Sequence, residues 1–98
     1  KHLCREYVVE GVDRFRIGKY GQNHAVGFMV GYLLSGTAVE AADGINAYLT
    51  RVSRKAEHLE LADICQEVLS WVSKHARSSP SGAIRLHHAF LGLAEVVT

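Results

Sequence analysis

The sequence predicts a mainly α fold, a small domain of four or five helices, and three observations carry that expectation. Apolar residues recur at helical spacing in four stretches, Thr37 and Glu40 form a helix-start signature, and charged residues collect at the predicted helix ends with the sign the dipole favours. A chain of 98 residues, 48% hydrophobic and 21% charged, supports one core and leaves no room for a second. One helical domain over residues 1–98 is the expectation, and the Lys1 start reads as a piece of a longer chain. The alternative architecture is α+β, with a short N-terminal β-meander followed by three helices.

Cys4, Val8, Val12 and Phe15 share one face of a helix over residues 2–15. The competing reading makes Tyr7–Val9 and Phe15–Ile17 two strands around Gly11, because β-branched residues favour strands. Residues 16–23, with Gly18 and Gly21, read as a loop. From Tyr20 to Val39 no Asp, Glu, Lys or Arg occurs, but the continuously apolar part covers only Ala25–Leu34, short of the ~20 residues a membrane span needs. That run reads as a buried core element. Its periodicity does not decide between a helix, with Gly27, Gly31 and Ser35 on one line, and a strand that alternates Val26, Phe28, Val30, Tyr32 and Leu34 with smaller residues.

Thr37 and Glu40 fit a capping box, in which hydroxyl and carboxylate satisfy each other's backbone donors. Behind them Ala38, Ala42, Ile45, Leu49, Val52 and Ala56 form an apolar stripe that runs in phase through Gly44, so one helix over 38–56 is predicted. A second stripe, Leu61, Cys65, Val68 and Val72, predicts a helix over 57–77 with acidic first turns and basic last turns. The Ser78-Ser79-Pro80-Ser81-Gly82 stretch is a loop, and Leu86, Phe90, Leu93 and Val97 predict a final helix from about Ala83.

Several chemistries lack the residues they require. No glycine-rich phosphate loop is present, because Gly18-Lys19 is followed by Tyr20 and lacks the upstream glycine. None of the glutamates has a His three residues on, and the two cysteines, Cys4 and Cys65, are isolated, so neither a di-iron bundle nor a zinc site is expected. No cofactor is expected either. Both cysteines read as small buried hydrophobes rather than as a disulfide pair. His58 and His75 are placed near helix ends, His88 on a solvated or partner-facing side, and Glu57 and Glu60 at a helix N-terminus where the dipole accounts for them. No catalytic set emerges, which points away from an enzyme.

The functional expectation is a non-enzymatic protein-interaction module, regulatory, adaptor or chaperone-like, whose partner is another protein or a second copy of itself. Its motivation is a surplus of large side chains, among them Phe28, Tyr32, Tyr48, Trp71 and Phe90, in a domain too small to hide them all. Tyr48, Arg51, Arg54, Lys55 and Trp71 are the expected partner-binding residues. A nucleic-acid-binding regulator using a helix-turn-helix-like segment over 37–59 is the first alternative, weakened by the acids that flank Arg51, Arg54 and Lys55. A ligand-binding or enzymatic bundle built around His24 or His87 is the second. With no membrane span expected, the assignment is cytoplasmic.

Overall fold

The computed structural model describes residues 2–17, 25–33, 35–62, 69–78 and 81–92. Its architecture is α+β: two helices cover one face of a four-stranded mixed sheet. This corrects both the mainly α helical-bundle expectation and its β-meander alternative. The N-terminal segment is a helix, and the predicted third and fourth helices are strands.

Helix α1 begins as His2–Glu6, widens into a π-helical stretch over Tyr7–Val12, and ends as Asp13–Arg16. Val8 and Val12 are buried in the core, with Cys4 and Phe15 packed against it, so the predicted stripe is the one used. The ambiguous apolar run is strand β1, Val26–Leu33, and Gly27 shows why the sheet can come so close to α1. A Cβ there would lie 2.7 Å from the Phe15 ring and 2.9 Å from Leu86.

Helix α2 is Ala38–Arg51, and its capping box is complete: the Glu40 amide donates to Thr37 Oγ1 at 3.1 Å, and the Thr37 amide donates to Glu40 Oε1 at 2.8 Å. Ala42, Ile45 and Leu49 face the core. The helix runs unbroken through Gly44, so the turn that a helix-turn-helix would need there is absent. It stops five residues before the predicted end. Ser53 takes a left-handed conformation, φ 63°, while its amide donates to the Thr50 carbonyl and the Arg54 amide to the Leu49 carbonyl. These two reversed hydrogen bonds are the Schellman pattern that closes helix C-termini.

A single 3-10 turn, Lys55–Glu57, leads into strand β2, Glu60–Ala62. Asn46 of α2 secures this crossing by donating to the Leu59 carbonyl and accepting from its amide, at 3.0 and 2.7 Å. Strands β3, Ser70–Ser78, and β4, Ser81–Gly92, form a long antiparallel hairpin; of the predicted 78–82 loop, Ser78, Ser81 and Gly82 are paired strand residues, and 79–80 lie outside the described residues. The sheet order is β1-β4-β3-β2, with β1 parallel to β4 and the other pairs antiparallel. Two-residue alternation sorts the side chains. Gly27, Met29, Leu86, Phe90 and Trp71 face the helices, while Val26, Phe28, Val30 and Tyr32 face away.

Candidate functional site

Three features converge on the helix–sheet layers: a chain of polar side chains between them, a cleft at one end, and an apolar row on the sheet's open face. The polar chain follows from alternation on the hairpin. Trp71, Ser73, His75 and Arg77 of β3 all point toward the helices, and so does His88 of β4. Ser73 is 2%, His75 2% and His88 1% exposed, so each polar atom there needs a partner.

Those partners form one continuous series. Tyr7 of α1 meets His88 Nδ1 at 2.7 Å, His88 Nε2 meets Ser73 Oγ at 2.7 Å, and Ser73 Oγ meets His75 Nε2 at 2.6 Å. His75 Nδ1 meets Glu57 Oε1 at 2.5 Å, and Arg54 holds both Glu57 oxygens at 2.7 Å. Arg54 also grips Asp13 through both terminal nitrogens, at 2.7 and 3.2 Å, which ties the 3-10 turn to α1. Arg16 joins the same Asp13 at 3.3 Å.

The direction of every proton in the series follows from its charged end. Desolvation pushes the Glu57 carboxyl up, but hydrogen bonds from Arg54 and His75, with the Arg54 charge, outweigh it and hold the group at about 2. The hydrogen bond to Glu57 in turn raises the Arg54 guanidinium, against the opposing effect of burial. An ionised carboxylate only accepts, so His75 Nδ1 donates to it and His75 Nε2 is left as acceptor. Ser73 then donates to His75 and accepts from His88 Nε2, which leaves His88 Nδ1 to accept the Tyr7 proton. Burial lowers both imidazoles below their ordinary 6.5, His88 to about 3, in keeping with neutral rings. Burial likewise pushes the Tyr7 phenol above its ordinary value.

Ser73, His75 and Glu57 reproduce the spacing of a nucleophile, base and acid. The arrangement lacks access, however, because Ser73 is enclosed and does not line the cleft. The cleft itself, about 560 Å³, is formed by α1, the ends of β1 and β4, and the start of α2. Its walls are Leu3, Tyr7, Leu33, Ile45 and Phe90, and its polar residues include Glu6 and Glu40. Tyr7 is the one residue common to the cleft and the polar chain.

On the opposite face of the sheet Phe28 is 72% and Tyr32 63% exposed, with Val26 and Val30 beside them. Phe28 stacks on His87 of β4 at 5.1 Å, and His87 Nδ1 is buried there with no hydrogen-bond partner among the described residues. Arg85 and Lys74 sit side by side at the Val26 end of this face, and Leu91 lies beside Tyr32 at the other.

The five residues predicted to bind a partner are not brought together as one patch. Trp71 is 5% exposed and packs edge-on to Phe90 in the core at 5.6 Å. Arg54 is engaged by Glu57 and Asp13, Arg51 lies over the Tyr48 ring at 5.5 Å, and Lys55 is exposed on the 3-10 turn. His75 and His88, expected at a helix end and on a solvated side, are both interior. Cys4 is half-buried against Gly44, whereas Cys65 and His24 lie outside the described residues. Among the described residues no group of His, Cys, Asp and Glu is arranged to hold a metal ion, and no helix is long and apolar enough to cross a membrane. The signal that could have revealed the polar chain is the two-residue spacing Ser73, His75, Arg77. Comparisons with protein-family models, with curated proteins and with solved structures find no match.

Proposed function

We propose that this domain is a protein-interaction module that associates with a second copy of itself through the open face of its sheet. The observation that carries the reading is the row Val26, Phe28, Val30 and Tyr32, four large apolar side chains on one strand with no cover among the described residues. Exposed apolar surface of this kind costs free energy in water, and a matching face removes the cost on both sides.

The areas are commensurate with a dimer. At roughly 150–200 Å² per fully exposed side chain of these types, the row presents about 400 Å². A standard interface needs about 800 Å² from each partner. Leu91, Ala89, Val72 and the aliphatic stems of Arg85 and Lys74 adjoin the row and can supply the remainder. Charge selects the orientation. With strands of the two copies antiparallel across the interface, Arg85 and Lys74 of one copy lie over the Tyr32 and Leu91 end of the other, so like charges stay apart.

Sedimentation of the protein over a concentration series tests the reading. The expected result is a monomer–dimer equilibrium in the micromolar range that Phe28→Lys weakens about 100-fold or more, with unchanged circular dichroism. A well-folded wild type that stays monomeric at hundreds of micromolar would refute it.

A further inference from the structure

We propose that the cleft between α1, α2 and the ends of β1 and β4 binds a small, mainly apolar, non-anionic molecule carrying one hydroxyl or N–H group, which donates a hydrogen bond to the Tyr7 oxygen. The walls and the rim define most of this ligand. A cleft of about 560 Å³ lies in the range that small-molecule sites occupy. Aromatic and aliphatic side chains, Tyr7, Phe90, Leu33 and Ile45 among them, suit a ring system. Glu6 and Glu40 are both at the cleft, so a ligand carboxylate or phosphate meets like charge there.

The polar chain supplies the donor preference. A free phenol both donates and accepts, and a site built on one does not discriminate between a ligand hydroxyl and a ligand ketone or ether. Tyr7 has lost that freedom. Arg54 fixes Glu57 as an acceptor, Glu57 fixes the tautomer of His75, His75 fixes the Ser73 hydroxyl, and Ser73 fixes the tautomer of His88. His88 Nδ1 therefore takes the one proton Tyr7 has to give. What remains is an oxygen with lone pairs only, polarised by a chain of hydrogen bonds that ends in an ion pair. Tyr7 thus acts as an acceptor, and an ion pair on the far side of the core decides it.

Calorimetric titration with three probes of one ring system tests the site: 1-naphthol, its methyl ether and 1-naphthoate. The wild-type protein should bind 1-naphthol about tenfold more tightly than the ether, one hydrogen bond being worth about that factor, and naphthoate should bind most weakly. In Tyr7→Phe the naphthol and the ether should bind within twofold of each other. Ala41→Phe, which fills the cleft without touching the polar chain, should abolish binding of both and exclude attachment to the open sheet face. Should Tyr7→Phe fail to fold, Cζ-labelled tyrosine in the wild-type protein replaces it, and at saturation the Tyr7 resonance should move further with naphthol than with the ether. The proposal is overturned by any of four results: no naphthol binding at millimolar concentration, equal binding of the ether, tighter binding of naphthoate, or binding that survives Ala41→Phe.

Discussion

Acidification below pH 6.5 should destabilise this domain well before its carboxylates protonate, and His88 sets the slope. Burial, the largest cause, holds His88 at about 3 against an ordinary 6.5. Its Nδ1 already accepts from Tyr7 and its Nε2 donates to Ser73, so a second proton would have to displace the Tyr7 hydrogen bond. In the unfolded chain the same ring titrates freely. A ring kept neutral by the fold leaves stability unaffected above 6.5; as the pH falls, the unfolded chain takes up a proton that the fold refuses. Stability then drops by about 1.4 kcal/mol per pH unit until the folded value near 3 is reached. At pH 5 the loss from His88 is about 2 kcal/mol, a large part of the 5–15 kcal/mol typical of a domain. His75 is lowered in the same direction and adds to the slope. Glu57 acts later: its stabilisation is present above 4.5 and is lost as pH falls toward about 2. Urea unfolding between pH 7.5 and 5, at fixed protein concentration, should show the midpoint falling by about 1–2 M. His88→Gln keeps a donor toward Ser73 and removes the titrating ring. It should cost about 1–3 kcal/mol at pH 7.5 yet lose about 2 kcal/mol less on acidification. A wild type that is flat between pH 7.5 and 5, or a variant with the wild-type slope, would refute the reasoning.

Ser53→Gly should stabilise the protein by about 1 kcal/mol in urea unfolding, because Ser53 holds a left-handed φ of 63° that glycine adopts without a Cβ penalty; a loss of stability would mean that its side chain, not its backbone, closes the helix. Gly44→Ala should gain little alone, since a Cβ there lies 2.8 Å from Cys4 Sγ, but should stabilise by about 1 kcal/mol in a Cys4→Ala background, where the helix-propensity gain is released. Equal effects in the two backgrounds would show that Cys4 does not constrain this position.

The parts of the fold that were legible in the sequence are those decided locally. The Thr37–Glu40 cap is a property of four consecutive residues, and the stripes Cys4, Val8, Val12 and Ala42, Ile45, Leu49 each bury one helix face. The strands β2, β3 and β4 are decided by cross-strand pairing, with β4 also pairing to the distant β1, and their alternation is disguised. On β3 the inward positions after Trp71 are Ser73, His75 and Arg77, while outward Val72 is apolar, so an alternation of apolar and polar residues points to the wrong face or to none. With that signal inverted, Val72 fits the helical stripe that Leu61 begins. On β4, Ile84, Leu86 and Phe90 alternate as a strand should, but His88 interrupts them and the four-residue step from Leu86 to Phe90 reads equally well as a helix turn.

The helix end and the candidate site are consequences of one another. If α2 had continued to residue 56, as its stripe through Val52 and Ala56 suggests, Arg54 would stand on the helix and Glu57 just past its end, instead of on a turn aimed at β3. The Schellman closure at Ser53 instead turns the chain so that Arg54 reaches Asp13 on α1 while Glu57 reaches His75 on the sheet. Without Glu57 the inward polar residues of β3 and β4 would have no fixed acceptor at their end, and burying two imidazoles and a hydroxyl would cost several kcal/mol. With it, each member of the series satisfies the next, up to the hydroxyl of Tyr7, a residue that lines the cleft. The local strain at Ser53 and the polar interior are therefore coupled: a substitution that lets α2 run on would release Tyr7 from its fixed role as acceptor without touching the cleft.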